Sequence, residues 1–107
     1  METERYYHRT GAWPAIAADG WRDATGTYMT ANEYSGVWIS DSPLDLSEGA
    51  SGAWLITIEM PPDVATLIDQ EHEWIEEGKG YREWLVPAKL LNEFATVVHV
   101  DYSPDGS

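Results

Sequence analysis

The fold is decided by residues 53–60, AWLITIEM, which carry the clearest β-strand pattern in the sequence. Every even-numbered residue from Trp54 to Met60 is apolar, whereas the odd-numbered set includes Thr57 and Glu59. Side chains alternate between the two faces of a strand, so this period of two predicts one buried face and one more polar face. Two prolines follow at once and end the strand, because proline cannot donate to a sheet.

Shorter segments on either side complete the pattern of a mixed helix and strand protein. Four more strands are predicted from their aromatic and β-branched residues: 4–10, 36–40, 82–86 and 95–102. Three short helices are predicted between them: 12–19, 64–70 and 88–92. The other long segments are expected to be loops or turns: 21–35, 44–52 and 71–80. Because helices and strands do not alternate strictly, the expected class is α+β rather than a doubly wound parallel sheet.

The helix predicted over 12–19 has an apolar stripe. Trp13, Ile16 and Ala17 follow the spacing i, i+3, i+4, which places them on one helical face. Gly20 comes directly after the last helical residue and is expected to cap it. The stripe predicts that Trp13 is buried against the sheet.

Length and composition allow a single domain. The chain has 107 residues, 43% of them hydrophobic and 6 of them tryptophan. One domain is predicted over 1–102, with a flexible tail at 103–107. Cysteine is absent, which excludes disulfides, thiolate metal sites and cysteine nucleophiles. No apolar run approaches the ~20 residues of a membrane span, and METERYYH at the N-terminus lacks the regions of a signal peptide. A soluble, cytoplasmic protein is expected.

The chain is strongly acidic. It has 19 acidic and 6 basic residues, for a formal net charge of -13. A field of this sign repels phosphate, which disfavours nucleic acids and anionic membranes as partners. Three explanations remain open: solubility in a salty cytoplasm, mimicry of a nucleic acid in a basic groove, and recognition of a basic partner or substrate.

Three motifs each place one polar or large residue in a strand. They read YYHRTG at 6–11, GVWISDSP at 36–43 and YREWLVP at 81–87. Taken singly, each motif has a structural interpretation. His8 is compatible with a backbone-bonded strand histidine and Trp38 with a core residue. Glu83 is compatible with a charge on an edge strand that is either solvated or paired with Arg82.

Together, and in this order along the chain, the motifs resemble the His–aromatic–Glu signature of the ADP-ribosyltransferase superfamily. The similarity is to catalytic cores of the poly(ADP-ribose) polymerase type and the RNA 2′-phosphotransferase type. In the superfamily, the first motif reads approximately His-Gly-Thr, the second Gly-Ile-Tyr-Phe-Ala/Ser, and the third Glu-Tyr-x-Val with a nearby proline. The resemblance spans 6–92 and implies a split, mixed β-sheet with short flanking helices.

The resemblance implies NAD as a substrate and gives each motif a role. His8 would bind the adenosine-side ribose, and the hydroxyl of Thr10 is suited to a ribose contact as well. The backbone of Arg9 would meet the nicotinamide amide. Trp38 would pack on the nicotinamide, and Ser40 would make a polar contact nearby.

Glu83 is the implied catalytic residue. Cleavage of the N-glycosidic bond of NAD builds positive charge at the sugar carbon, and a fixed carboxylate there stabilises the transition state more than the ground state. The side chains of His8, Trp38 and Glu83 are therefore expected to line one cleft. The product would be mono-ADP-ribose on a basic protein or a small-molecule acceptor, as in toxin-like members of the superfamily.

The chain departs from the superfamily pattern at three positions. Arg9 stands where glycine is usual, and Trp38 stands where tyrosine is usual. Tyr81 stands where several arginine-modifying toxins carry a second Glu or a Gln, so the acceptor type is not specified there. The stretch 71–82 would correspond to the loop that presents the acceptor, and its acidic character suits a basic protein.

Other functions stay open beside this hypothesis. One alternative is a small acidic inhibitor or decoy that binds a basic partner without catalysis. A second is RNA 2′-phosphotransfer, which the shortage of basic residues disfavours, or NAD glycohydrolysis, in which water replaces the acceptor. His72 and its acidic neighbours do not follow a His-Glu-x-x-His metal motif. No Gly-x-Ser-x-Gly sequence of a serine hydrolase is present.

Overall fold

A computed structural model describes most of the chain, covering residues 3–27, 33–43, 52–75, 78 and 80–103. Within these residues the elements follow in the order β1 (Glu4–Thr10), α1 (Trp13–Asp19), β2 (Ala24–Thr27), β3 (Glu33–Ser40), β4 (Trp54–Met60), α2 (Pro62–Glu71), β5 (Glu73–Trp74), β6 (Glu83–Val86), α3 (Ala88–Phe94) and β7 (Thr96–Tyr102). The α+β class with short flanking helices is confirmed.

The strands form one sheet in the spatial order β5-β6-β3-β1-β4-β7, and β2 pairs with β3 beside this row. All pairings among the described strands are antiparallel. The expectation of a mixed sheet is therefore wrong for this part of the chain. The first strand of the sequence lies in the interior of the sheet, because β1 pairs with β4 along its whole length and meets β3 on its other edge.

The alternating pattern of 53–60 is confirmed for three of its four even-numbered residues; Trp54 is half-buried, and Thr57 on the other face is buried by its surroundings as well. Ile56, Ile58 and Met60 are fully buried, whereas Leu55 and Glu59 on the other face are half-buried. The buried strand residues pack against one side of α2 and α3, which contribute the following side chains to the core: Val64, Ala65, Ile68, Ala88 and Leu91. One face of the sheet thus carries the main hydrophobic core.

The first helix behaves differently from the expectation. None of the seven residues of α1 is buried; Trp13 and Ile16 are half-buried against the core, and Ala17 is exposed. The prediction of a buried Trp13 is wrong, because α1 lies at the margin of the sheet rather than over it. Gly20 does follow the helix with a positive φ of 89°, and its N–H donates to Ile16 O at 2.8 Å.

Several segments expected to be loops contain strands. The predicted loop 21–35 includes β2 and the first residues of β3, while 28–32 lie outside the described residues. The predicted turn 71–80 includes β5, which pairs with β6. In the predicted loop 44–52, residues 44–51 lie outside the described part, as do 104–107 of the predicted tail.

Candidate functional site

The three motif strands are neighbours in the sheet. β6, β3 and β1 are adjacent in that order although they come from distant parts of the chain. Ser40 of β3 pairs with Tyr7 of β1 on one side and with Glu83 of β6 on the other. Neighbouring strands are about 4.8 Å apart, so the backbones of Tyr7 and Glu83 are separated by about 10 Å.

β1 and β3 separate beyond this point. Tyr7 and Ser40 are paired in register between the two strands, and the next link is made by a side chain. The Nδ1–H of His8 donates to the carbonyl of Trp38 at 2.6 Å. This bond fixes the neutral tautomer of the ring and leaves Nε2 as a hydrogen-bond acceptor.

A cavity of about 240 Å³ lies where the two strands part. Its lining includes His8 and Thr10 from β1, the three consecutive residues 36–38 from β3, and residues of α1 and of the turn after it. Alternate strand residues face opposite ways, so a cavity on one face would meet only every second residue. Contact with three consecutive residues means that the cavity meets β3 along its edge.

His8 is a half-buried polar group of this cavity. Burial lowers the pKa of His8, and the bond to Trp38 O offsets that only in part. Its ring packs edge-on against Trp21, with 5.3 Å between the ring centroids. The imidazole is therefore held neutral near pH 7, in a fixed orientation, against an aromatic wall.

Glu83, Ser40 and the ring of Trp38 belong to the other face of the strands. Trp38 and Ser40 alternate with Ile39, which is 1% exposed in the core, and Ser40 is the register partner of Glu83. The ring of Trp38 packs edge-on against Trp74 at 5.2 Å, and Trp74 is itself paired with Glu83.

The expectation that His8 and Glu83 line one cleft side by side is therefore wrong. The register line joins Tyr7, Ser40 and Glu83, and His8 is one residue further along β1. Alternation turns its side chain to the opposite face, beside Ile56 and the helices. Trp38 links the two sides, because its carbonyl accepts from His8 while its ring lies with Glu83.

The remaining predicted site residues have local partners. Arg9 Nη1 donates to Gly52 O at 3.5 Å, and Thr10 Oγ1 accepts from Ala12 N at 3.0 Å. The Ser40 hydroxyl is within 2.7 Å of Ser42 O and donates to it. Of these three side chains, Thr10 lines the cavity, whereas Arg9 and Ser40 are absent from its lining.

Sequence reasoning missed the wall formed by the turn after α1. Gly20, Trp21 and Arg22 all line the cavity, and Trp21 is 7% exposed. The signal available in the sequence was a tryptophan directly after a helix-capping glycine, which indicates a turn held against the core. Reading 21–35 as one long polar loop concealed it.

A separate network of charges lies beside β6 on the helix side. Arg82 Nη2 donates to Asp69 Oδ1 at 3.1 Å and to Glu73 Oε1 at 2.7 Å. The guanidinium lies 4.9 Å above the ring of Trp84. These carboxylates, Glu73 above all, raise the pKa of Arg82, so the guanidinium stays charged. Among the described residues no three His, Asp or Glu side chains are grouped as a metal site.

Comparison of the chain with protein-family models, with curated proteins and with solved structures gives no match. Within the described ranges, no helix has the length and apolar character needed to cross a lipid bilayer.

Proposed function

We propose that this chain is an ADP-ribosyltransferase-like protein that binds NAD where β1 and β3 separate and transfers ADP-ribose to an acceptor. The observation that carries the proposal is the adjacency of the three motif strands. The second and third motifs follow the first by about 30 and about 75 residues in the sequence. Their strands are nevertheless side by side with it, in the order β6-β3-β1. A cavity lined by His8, Thr10 and Trp38 lies between two of these strands, β1 and β3.

The cavity suits one part of a dinucleotide. Pockets for whole drug-sized ligands are roughly 300–1,000 Å³, and this one is about 240 Å³. It therefore matches a ring and part of a sugar, with the rest of the ligand extending outward. The acceptor Nε2 of neutral His8 is suited to a ribose hydroxyl.

The arrangement of side chains on two faces is compatible with a ligand that lies between the strands. A flat group inserted along the edge of β3 would lie in the plane of the sheet, between β1 and β3. His8 and Trp38 then flank it. Glu83 lies one strand beyond β3 and is absent from the cavity lining, so its carboxylate would act on the part of the ligand that extends outward on that face. There it would stabilise the sugar carbon from which nicotinamide leaves with the bonding electron pair, and the acceptor would add to that carbon and lose its proton to solvent.

The expected acceptor is basic. The net charge of -13 attracts cationic proteins and repels nucleic acid. The segment leading to β6 contributes Trp74, the register partner of Glu83, and the 82% exposed Ile75, whereas Glu73 is paired with Arg82 on the helix side. The apolar surface next to Glu83, together with the negative charge of the chain, favours a protein or small cationic acceptor over RNA, and hydrolysis of NAD is the expected side reaction.

The test is release of nicotinamide from NAD, with Glu83→Gln as the decisive variant. Loss of one stabilising group in a transition state costs about 2.7–4 kcal/mol, so a decrease of about 10²–10³-fold is expected. NAD affinity should change little, because the amide keeps the size of the side chain. Glu59 lies on β4, on the same face of the sheet as Glu83, but it is paired with Arg5. Glu59→Gln is therefore the matched control and should keep full activity. Turnover that persists in Glu83→Gln would remove this residue from catalysis.

The second candidate is a non-enzymatic inhibitor or decoy for a basic partner. Two observations favour it: the net charge of -13 and the placement of His8 and Glu83 on opposite faces. It predicts no NAD binding by calorimetry and tight, salt-sensitive capture of a cationic protein. Binding of NAD by the wild-type chain would exclude it as the sole function.

A further inference from the structure

The turn that forms one wall of the cavity is held by a side chain 71 residues away. The backbone N–H of Trp21 donates to Asn92 Oδ1 at 2.7 Å, and Asn92 Nδ2 donates to the carbonyl of Trp21 at 3.0 Å. One amide side chain thus satisfies both the N–H and the carbonyl of one residue, as a paired strand would. Trp21 itself belongs to neither a helix nor a strand, so these two hydrogen bonds replace the backbone bonds of a regular element.

The rest of the turn is built around the same contact. Gly20 has a φ of +89°, and a Cβ atom there would lie 2.8 Å from Asn92 Oδ1. A glycine is therefore needed for Asn92 to reach Trp21. On the other side, Asp23 Oδ1 accepts from the N–H of Ala88 at 2.8 Å. The segment 20–23 is consequently fixed to both the first and the last turns of α3.

This turn bears directly on the cavity. Gly20, Trp21 and Arg22 line it, and the indole of Trp21 packs against His8. We propose that Asn92 is a positioning residue of the site: by bonding both backbone groups of Trp21, it holds the indole against His8 and keeps the β1–β3 cavity open to a ligand. The ligand part of this inference rests on the proposed binding of NAD, whereas the indole–imidazole contact does not.

The decisive variant is Asn92→Asp, which has nearly the same shape. The carboxylate still accepts from Trp21 N–H, but it has no N–H to donate and places a negative charge beside the Trp21 carbonyl. Loss of one bond and the new repulsion should displace the turn in most molecules. When only a fraction of molecules is competent to bind, the apparent Kd equals the intrinsic Kd divided by that fraction. We therefore expect the Kd for NAD to increase about tenfold in Asn92→Asp.

A spectroscopic readout separates positioning from general loss of stability. The ring current of Trp21 should displace the His8 Hε1 resonance, which is assigned by its loss in His8→Gln. In Asn92→Asp that resonance should move toward its random-coil position, while those of His72 and His99 stay. Ile58→Val is the control for stability, because Ile58 is fully buried in the core but absent from the cavity lining. It should lower Tm and leave both the His8 resonance and NAD affinity unchanged.

The outcomes decide between the two proposals. If wild-type protein binds no NAD, the proposed function fails, and the His8 resonance alone decides the role of Asn92. An unchanged His8 resonance in folded Asn92→Asp overturns the positioning role, as does an equal loss of NAD affinity in Ile58→Val. If Asn92→Asp does not fold, Asn92→Gln, which keeps both hydrogen-bonding groups one methylene further out, takes its place. Failure of both to fold makes Asn92 a residue of the fold and also overturns the proposal.

Discussion

The carboxylate of Asp69 accepts from the buried indole of Trp84 in β6 and from the exposed guanidinium of Arg82 just before it, and its removal should cost about 2–3 kcal/mol. Trp84 is 2% exposed, and its indole Nε1–H donates to Asp69 Oδ1 at 3.0 Å. The same oxygen accepts from Arg82 Nη2 at 3.1 Å. In Asp69→Ala the indole N–H loses its acceptor, and an unsatisfied buried donor costs about 1–3 kcal/mol.

The ion pair adds little to this figure. The side chains of Arg82 and Asp69 are 48% and 43% exposed, and exposed ion pairs are worth about 0–1 kcal/mol. Arg82 also keeps its two hydrogen bonds to Glu73 when Asp69 is removed. Asp69→Asn retains an acceptor oxygen for the indole, so it should lose less than about 1 kcal/mol.

Urea unfolding followed by tryptophan fluorescence measures the difference, provided that the slope with denaturant stays constant. Gln70→Ala, one residue further along the same helix and exposed, is the control and should change stability by less than about 0.5 kcal/mol. Equal losses in Asp69→Ala and Asp69→Asn would refute the reasoning, since they would assign the energy to the charge rather than to the indole bond.

Three further predictions concern ionisation and packing. Burial raises the pKa of Tyr6 to about 12, so the phenol ionises at lower pH in the unfolded state than in the folded state. The free energy of unfolding should therefore fall by about 2–3 kcal/mol as pH rises from 10 to 12, with a matching decline in Tm that Tyr6→Phe should remove. Burial lowers the pKa of His8, so the unfolded state binds the proton more readily and stability should fall below pH 6.5; a similar decline in Tm for His8→Gln between pH 7.5 and 5 would contradict this. Trp13→Ala should cost about 1–3 kcal/mol in thermal unfolding, less than a fully buried tryptophan, because Trp13 is half-buried; a loss above 4 would show that it is part of the core.

The sequence predicted well wherever side-chain pattern decides the structure. The alternation at 53–60 gave β4 to within one residue, and the helix predicted over 64–70 lies within α2, which is slightly longer at both ends. The three motif segments were expected on separate strands, and each motif residue chosen from them does lie on a strand. In these cases a repeated local pattern determines the element.

Elements held by backbone pairing were missed. β2 reads ATGT and β5 reads EW, and neither carries an apolar alternation. They are strands because their backbones pair with β3 and β6, respectively. A local sequence pattern does not reveal such a pairing. The same applies to Trp21, whose place depends on Asn92.

Only part of the membership of the candidate site, and not its orientation, could be predicted. His8, Thr10 and Trp38 do line one cavity. Whether His8 and Glu83 share a face depends on a register of one residue between β1 and β3, set by the pair of Tyr7 and Ser40. A shift of one residue reverses every side chain of a strand, and motif spacing does not fix that register.

The interior position of β1 constrains how the protein acquires its structure during synthesis. β1 leaves the ribosome before both of its partners and stays unpaired until β3 and then β4 have emerged, about 50 residues later in the case of Trp54–Met60. Such distant pairing makes folding slow relative to helical proteins of this size. Nascent chains arrested before Met60 should therefore remain sensitive to protease, and resistance should appear only when the second half of the sheet is available.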